Sequence, residues 1–274
     1  MSSKKKFKKD GTKYKLMVAI LSLVFLFFLS SRIIFNTPMK DEDTPIRKPI
    51  EVADNFSLEI ASKEFYKNKN VLEIDVIVNE KGNGVPIDLG FKAAEKTDTK
   101  AKYKQEIFKI TDEYYVIFVH GLPDKWRSVS LQFFDKNVKE NGVKNVLSSS
   151  AKKVYVAKTS TESFEVFSQQ KADFYEAKYI DILIKDAEKL IKDEEENIEK
   201  SNDDQKKMLE RIESIKSDLE YKTESQKEEA NQEITQLQSK INTFKNNNLK
   251  SAEVIKEQQE IIKKLTEKKG NLVY

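Results

Sequence analysis

Few side chains in this sequence could do covalent or metal chemistry, and their spacing argues against most of it. There is one histidine, His120, and no cysteine. This excludes cysteine-based zinc sites, iron–sulfur clusters, thiol nucleophiles, disulfides and lipidation on cysteine. A Ser-His-Asp site would have to use His120, and no G-x-S-x-G turn accompanies it. Neither a G-x-x-x-x-G-K-[ST] loop nor a G-x-G-x-x-G turn is present to cradle phosphates; Gly82-Asn83-Gly84 reads as a hairpin turn. Asp41-Glu42-Asp43 lacks the glycine-containing loop and spaced ligands of a calcium site. Glu194-Glu195-Glu196 lies among lysines in a helical stretch, as a solvated face does. Trp126, the single tryptophan, heads a strand, where it packs at a domain edge or offers a platform for a sugar ring. The expectation is a protein that is not an enzyme and that uses no cofactor and no metal.

The elements that carry these residues begin with a strongly basic end. Lys4, Lys5, Lys6, Lys8, Lys9, Lys13 and Lys15 precede the apolar run Leu16–Leu29, which Ile33, Ile34 and Phe35 extend beyond Arg32. About 20 residues at 1.5 Å each cross a hydrocarbon core of about 30 Å, so 16–35 is long enough to span a bilayer. The lysines set its direction by the positive-inside rule. A single-pass cell-membrane protein is expected, with 1–15 as a cytoplasmic tail and the remainder extracytoplasmic. A cleaved secretory signal is the rival reading, but small residues at the −3 and −1 positions of a cleavage site are poorly supplied after Leu29. The formal net charge of +3 comes from this end, so the basic excess marks a membrane partner and no nucleic acid.

Residues 36–55 hold three of the five prolines and read as a spacer. From 56 to 160 the period is two. Val71–Val78 places Leu72, Ile74, Val76 and Val78 on one face, and similar runs occur at Phe56–Ile60, Ile87–Phe91, Tyr103–Ile110, Tyr114–Val119, Trp126–Phe134 and Val154–Ala157. Short β-branched and aromatic runs separated by polar turns predict an antiparallel β-sandwich, immunoglobulin-like or fibronectin-like, with a short helical stretch allowed at Ala93–Lys102.

No Gly or Pro occurs between Gly142 and Gly270, which permits long helices. Apolar residues at alternating spacings of three and four over 163–269 predict a coiled-coil seam through Leu183, Leu190, Ile212, Ile215, Leu219, Ile234, Leu237, Ile241, Ile261 and Leu265. The eleven residues from Leu219 to Ala230 read as a stutter. Cap-forming residues at 201–204 and 246–250 predict helices over 163–200, 204–245 and 251–268 that fold back as a hairpin, an extended rod being the alternative. The fold class is thus mixed: a transmembrane helix, a β-sandwich, then a coiled coil or helical hairpin. The function expected is that of a scaffold or adaptor in the cell envelope, binding a protein partner or a second copy through the coiled coil, as in a secretion or conjugation assembly. The alternative is an adhesin or ligand-binding module that binds through the sandwich.

Overall fold

The computed structural model describes residues 14–22, 24–25, 41–53, 55–81, 87–137 and 152–274. Antiparallel sheets are followed by a long C-terminal helical region. Among the described residues nine strands form, β1 Ile50–Ala53, β2 Phe56–Tyr66, β3 Val71–Glu80, β4 Leu89–Glu95, β5 Lys104–Lys109, β6 Tyr114–His120, β7 Ser128–Asp135, β8 Lys153–Ala157 and β9 Glu162–Phe164. Sheet A has the order β1-β2-β3-β6-β5, with β9 also on β2; sheet B has the order β4-β7-β8. Their inner faces share one core, in which Phe56, Leu58, Ile60, Leu72, Ile74, Val76, Ile117 and Val119 of sheet A meet Leu89, Phe91, Val129, Leu131, Phe133, Val154 and Val156 of sheet B. Alternation along each strand is what sends these residues to one side.

Two expectations are corrected here, and the choice left open for Trp126 is decided for packing. Part of the 36–55 spacer is built into the fold: β1 pairs with β2, Val52 and Thr44 are buried, and Thr44 exchanges bonds with Tyr155 on the free edge of β8. At 93–102, β4 runs on to Glu95, whose buried carboxylate accepts the N–H groups of Thr97, Asp98 and Arg127. These bonds satisfy the local donors in a turn, without a helix. Trp126 is 1 % exposed and packs against Phe65 with ring centroids 5.3 Å apart and planes tilted by 57°. It is core, and offers no platform to a sugar.

Two helices of 47 residues follow, α1 Ala172–Asp218 and α2 Glu224–Gly270. The first begins later than 163 because Glu162–Phe164 extends along Glu64–Tyr66 of β2, where β1 no longer reaches. The chain reverses only at 219–223. A 3-10 turn at Leu219–Tyr221 leads to Thr223, which caps α2 in a capping box with Gln226. The apparent stutter is therefore the hairpin turn.

Neither expected break exists, since α1 runs through 201–204 and α2 through 246–250. The would-be caps face each other across the hairpin: Ser201 and Gln205 are buried, and Asn248 donates to Asn202 at 2.9 Å. Arg211 pairs with Glu233 nearer the turn, and Lys268 with Glu176 and Lys269 with Asp181 near the base.

Ile212, Ile215, Ala230, Ile234 and Ile241 form the distal core, with Met208, Leu219 and Leu237 against it. Leu265 is partly buried, while Leu190 and Ile261 are exposed. Leu183 packs on sheet A.

Residues 14–22 and 24–25 are helical and exposed, Lys15 among them. Lys4, Lys5, Lys6, Lys8, Lys9, Lys13 and residues 26–35 lie outside the described residues, so the spanning segment is described only in part. Among the described residues no helix is long and apolar enough to cross a membrane.

Candidate functional site

The outer face of sheet A carries the densest polar chemistry of the chain. Strand β3 turns Val71, Glu73, Asp75 and Ile77 to this side. In β2 the parity changes: Phe56, Leu58 and Ile60 point into the core, but an irregularity in register between Ile60 and Ser62 sends Lys63 and Phe65 inward instead. Ser62, Glu64 and Tyr66 thereby join β3's outer residues, with Ser62 opposite Asp75 and Glu64 opposite Glu73. An extra residue in one strand has this effect because side chains alternate with a period of two.

Helix α1 closes over the face. Phe174, Tyr175, Tyr179, Ile182 and Leu183 pack with Val71, Ile77, Tyr114, Val116 and Phe118, a helical stripe of three- and four-residue steps. Lys178 lies in that stripe. Its Nζ is 2.6 Å from Asp75 Oδ2, 2.7 Å from Glu64 Oε1 and 3.8 Å from Glu73 Oε1. Asp75 is fully buried and Glu73 nearly so.

Hydroxyls complete the shell. Tyr114 donates to Asp75 Oδ2 at 2.8 Å and Ser62 to the same oxygen at 2.7 Å. Tyr66 donates to Glu64 at 2.7 Å, and Tyr175 to Glu73 at 3.4 Å. Asp75 Oδ1 has no hydrogen-bond partner.

Two carboxylates directly opposite on neighbouring strands repel, and here a third lies beside them. Burial, followed by the charges of Asp75 and Glu64, pushes Glu73 up to about 8, so it holds its proton at neutral pH. Burial works against the charge on Lys178, but Asp75 and Glu64 outweigh it and raise the lysine above its usual value. Burial, then Asp75, raises Tyr114, and burial, then the bond to Glu64, raises Tyr66, so both act as neutral donors. Glu64, Glu73 and Asp75 lie within 4.8 Å of one another, close enough to hold a metal ion; the cation among them is the Lys178 ammonium.

A second lysine–aspartate contact lies on the other side of β2. Lys63 Nζ, almost wholly buried, is 2.7 Å from Asp43 Oδ1 and 2.6 Å from Thr44 O. Burial alone would push Asp43 up, but the Ala157 N–H and Lys63 hold it below its usual value.

Of the residues singled out in the sequence, His120 meets Glu106 at 3.0 Å at the end of β6, away from Lys178, and Asp41 pairs with Arg127 and Lys96. Sequence reasoning missed Glu64, Glu73, Asp75 and Lys178. A charged pair within the otherwise apolar run Val71–Val78 was the available signal. In comparisons with family models, curated proteins and solved structures, nothing matches the chain.

Proposed function

We propose that the chain is a non-enzymatic, membrane-anchored scaffold or adaptor that holds a helical arm outside the cytoplasm and binds a protein partner or a second copy through it. The sheets support an immunoglobulin-like reading: β2-β3-β6-β5 against β4-β7-β8 is the A-B-E-D against C-F-G order of constant-type domains. The basic tail and the apolar 16–35 segment support the anchor.

The observation that carries the function is the free length of the hairpin. Among the described residues, Asp186, paired with Arg47 just ahead of β1, is the farthest along α1 for which a bond to the segment preceding the helices is seen. From there to Asp218 the helix advances about 48 Å at 1.5 Å per residue, and it exposes Leu209, Tyr221 and, on α2, Leu249.

A photo-crosslinking residue at Leu209, Tyr221 or Leu249 should give a discrete adduct in intact cells, and the same probe on sheet B should not. Adducts from sheet B alone would favour the second reading, a ligand-binding module. That reading has a cavity of about 210 Å³ beside Glu42, Ala94, Lys96, Thr99, Ser130 and Tyr155 in its favour. External protease should reach the hairpin in intact cells. Digestion only after lysis would remove the extracytoplasmic assignment.

A further inference from the structure

We propose that Lys178 and Asp75 condense into an amide, joining helix α1 covalently to strand β3. The inference is independent of what the arm binds. With Nζ 2.6 Å from Asp75 Oδ2, ordinary hydrogen-bond angles put Asp75 Cγ about 3–3.5 Å away, the separation of a near-attack pair; a turn of the carboxyl group about its Cβ–Cγ bond presents its face to the amine, and aligned proximity of this kind is worth effective molarities of about 10⁵ M or more. The Asp75 carboxylate is fully buried beside the buried Tyr114, Tyr175 and Tyr179, so water is held off the carboxyl partner, while the Lys178 side chain keeps 26 % exposure.

The neighbours supply both halves of the proton traffic. Glu73 gives its proton to Asp75 Oδ1, the Glu64 carboxylate, 2.7 Å from Nζ, takes one from the ammonium, and the free amine attacks Cγ of the carboxylic acid so formed. The hydroxyls of Tyr114 and Ser62 converge on Oδ2 and stabilise the negative charge that collects there in the tetrahedral intermediate. Oδ1, which has no hydrogen-bond partner, is the oxygen that leaves. Its first proton is the one given by Glu73 and its second comes from Glu64, a carboxylate oxygen of which lies within 4.8 Å of an Asp75 oxygen, and Glu73 is reprotonated from the nitrogen. A C–N bond forms and a C–O bond breaks. Nitrogen begins with three protons and ends with one, the other two depart with Oδ1 as water, and both glutamates return to their starting states. No oxidant, reductant or cofactor enters.

The Lys63–Asp43 contact serves as an internal control. Its distance is nearly the same, but no carboxylic acid stands beside it, and among the described residues its remaining partners are Thr44 O, Ser160 and the Ala157 N–H. With no acid to protonate a leaving oxygen, it stays an ion pair. In a chain without cysteine, an amide at Lys178 would be a covalent staple that disulfides cannot provide.

Intact mass spectrometry of the full chain, compared with Lys178→Arg, tests this. Wild type should be lighter by one water than the sequence difference between the two requires, and a protease digest should yield one joined peptide pair containing Asp75 and Lys178. Glu73→Gln, with an unchanged circular-dichroism spectrum, should lose most of the joined product. A wild-type mass equal to that of its sequence overturns the proposal. So does a water loss that persists in Lys178→Arg, or a joined pair that maps to Lys63 and Asp43.

Discussion

At its base, α1 lays Tyr175, Lys178, Tyr179 and Leu183 on sheet A, whereas from Met208 to Asp218 the same helix, among the described residues, packs on α2, through Ile212, Ile215, Ala230, Ile234 and Ile241. Both regions bury an apolar stripe, but the base also buries the carboxylates of Glu73 and Asp75, with Glu64 and Lys178 half-buried beside them. An apolar stripe fixes which face is covered and tolerates sliding. A lysine that must reach Asp75 and Glu64 fixes position and angle as well. The base is therefore a specific joint and the distal half a generic antiparallel pair, which suits a rigid mount carrying a long arm. Between them, Ser201, Gln205, Asn202 and Asn248 form a polar layer. Polar groups at seam positions set register at a cost in stability.

The largest effect should come from breaking the joint. Asp75→Ala removes the group that holds Lys178 to the sheet, and even where the two are only an ion pair the loss of one partner costs about 3–5 kcal/mol. Hydrogen exchange should show α1 released near residues 172–186 while pairing around Ile212 and Ile234 persists. In the other direction, Ile212→Ala should cost about 2–5 kcal/mol and loosen only the distal half. Equal loss of protection at Lys178 and Ile212 in both variants would erase the distinction between the regions.

The next effect concerns pH, and Lys178→Arg isolates it by keeping a cation without an amide. Glu73 faces Asp75 and Glu64 on the sheet and residue 178 and Tyr175 on the helix. Its carboxyl is raised from 4.5 to about 8 in the folded chain, so the folded state holds a proton that the unfolded state has released. The stability this contributes is complete below about pH 4.5 and is lost as pH rises through about 8. Chemical denaturation of Lys178→Arg at about pH 5 and about pH 9 should differ by on the order of 4 kcal/mol, the lower pH being the more stable. Glu73→Gln in the same background should flatten that difference. The smallest effect belongs to the turn: Thr223→Ala removes a capping side chain and should cost about 1 kcal/mol, seen as fraying confined to residues 219–227.

Much of the fold could be read from the sequence because alternation and the three-and-four spacing each report directly on one buried face. Leu72, Ile74, Val76 and Val78 of β3 lie in the shared core, and Ile212, Ile215, Ile234 and Ile241 lie between the helices. The site could not be read in the same way. The register irregularity after Ile60 reverses the parity of β2, so Ser62 and Glu64 cannot be assigned to a face by counting. Glu73 and Asp75 look like the solvent side of an alternating strand until α1 covers them, and nothing local to β3 announces a helix about a hundred residues later. The hairpin turn was misplaced for a related reason. Ser, Asn and Asp cap helices when exposed, but across an antiparallel pair they can satisfy one another, as Asn202 and Asn248 do. The gap from Leu219 to Ala230 was the better signal.

The account rests on a helical arm that reverses at 219–223, and a bifunctional cross-link tests it in one step. Because the chain has no cysteine, Arg211→Cys combined with Glu233→Cys provides a unique pair at positions whose side chains now meet at 3.0 Å. A short bis-maleimide should join the two within one chain in high yield at low protein concentration. Leu190→Cys combined with Ile215→Cys should give no such product, because 25 residues of continuous helix hold those positions about 37 Å apart. Efficient intramolecular joining of Leu190 to Ile215, or only intermolecular products from the first pair, would contradict the account.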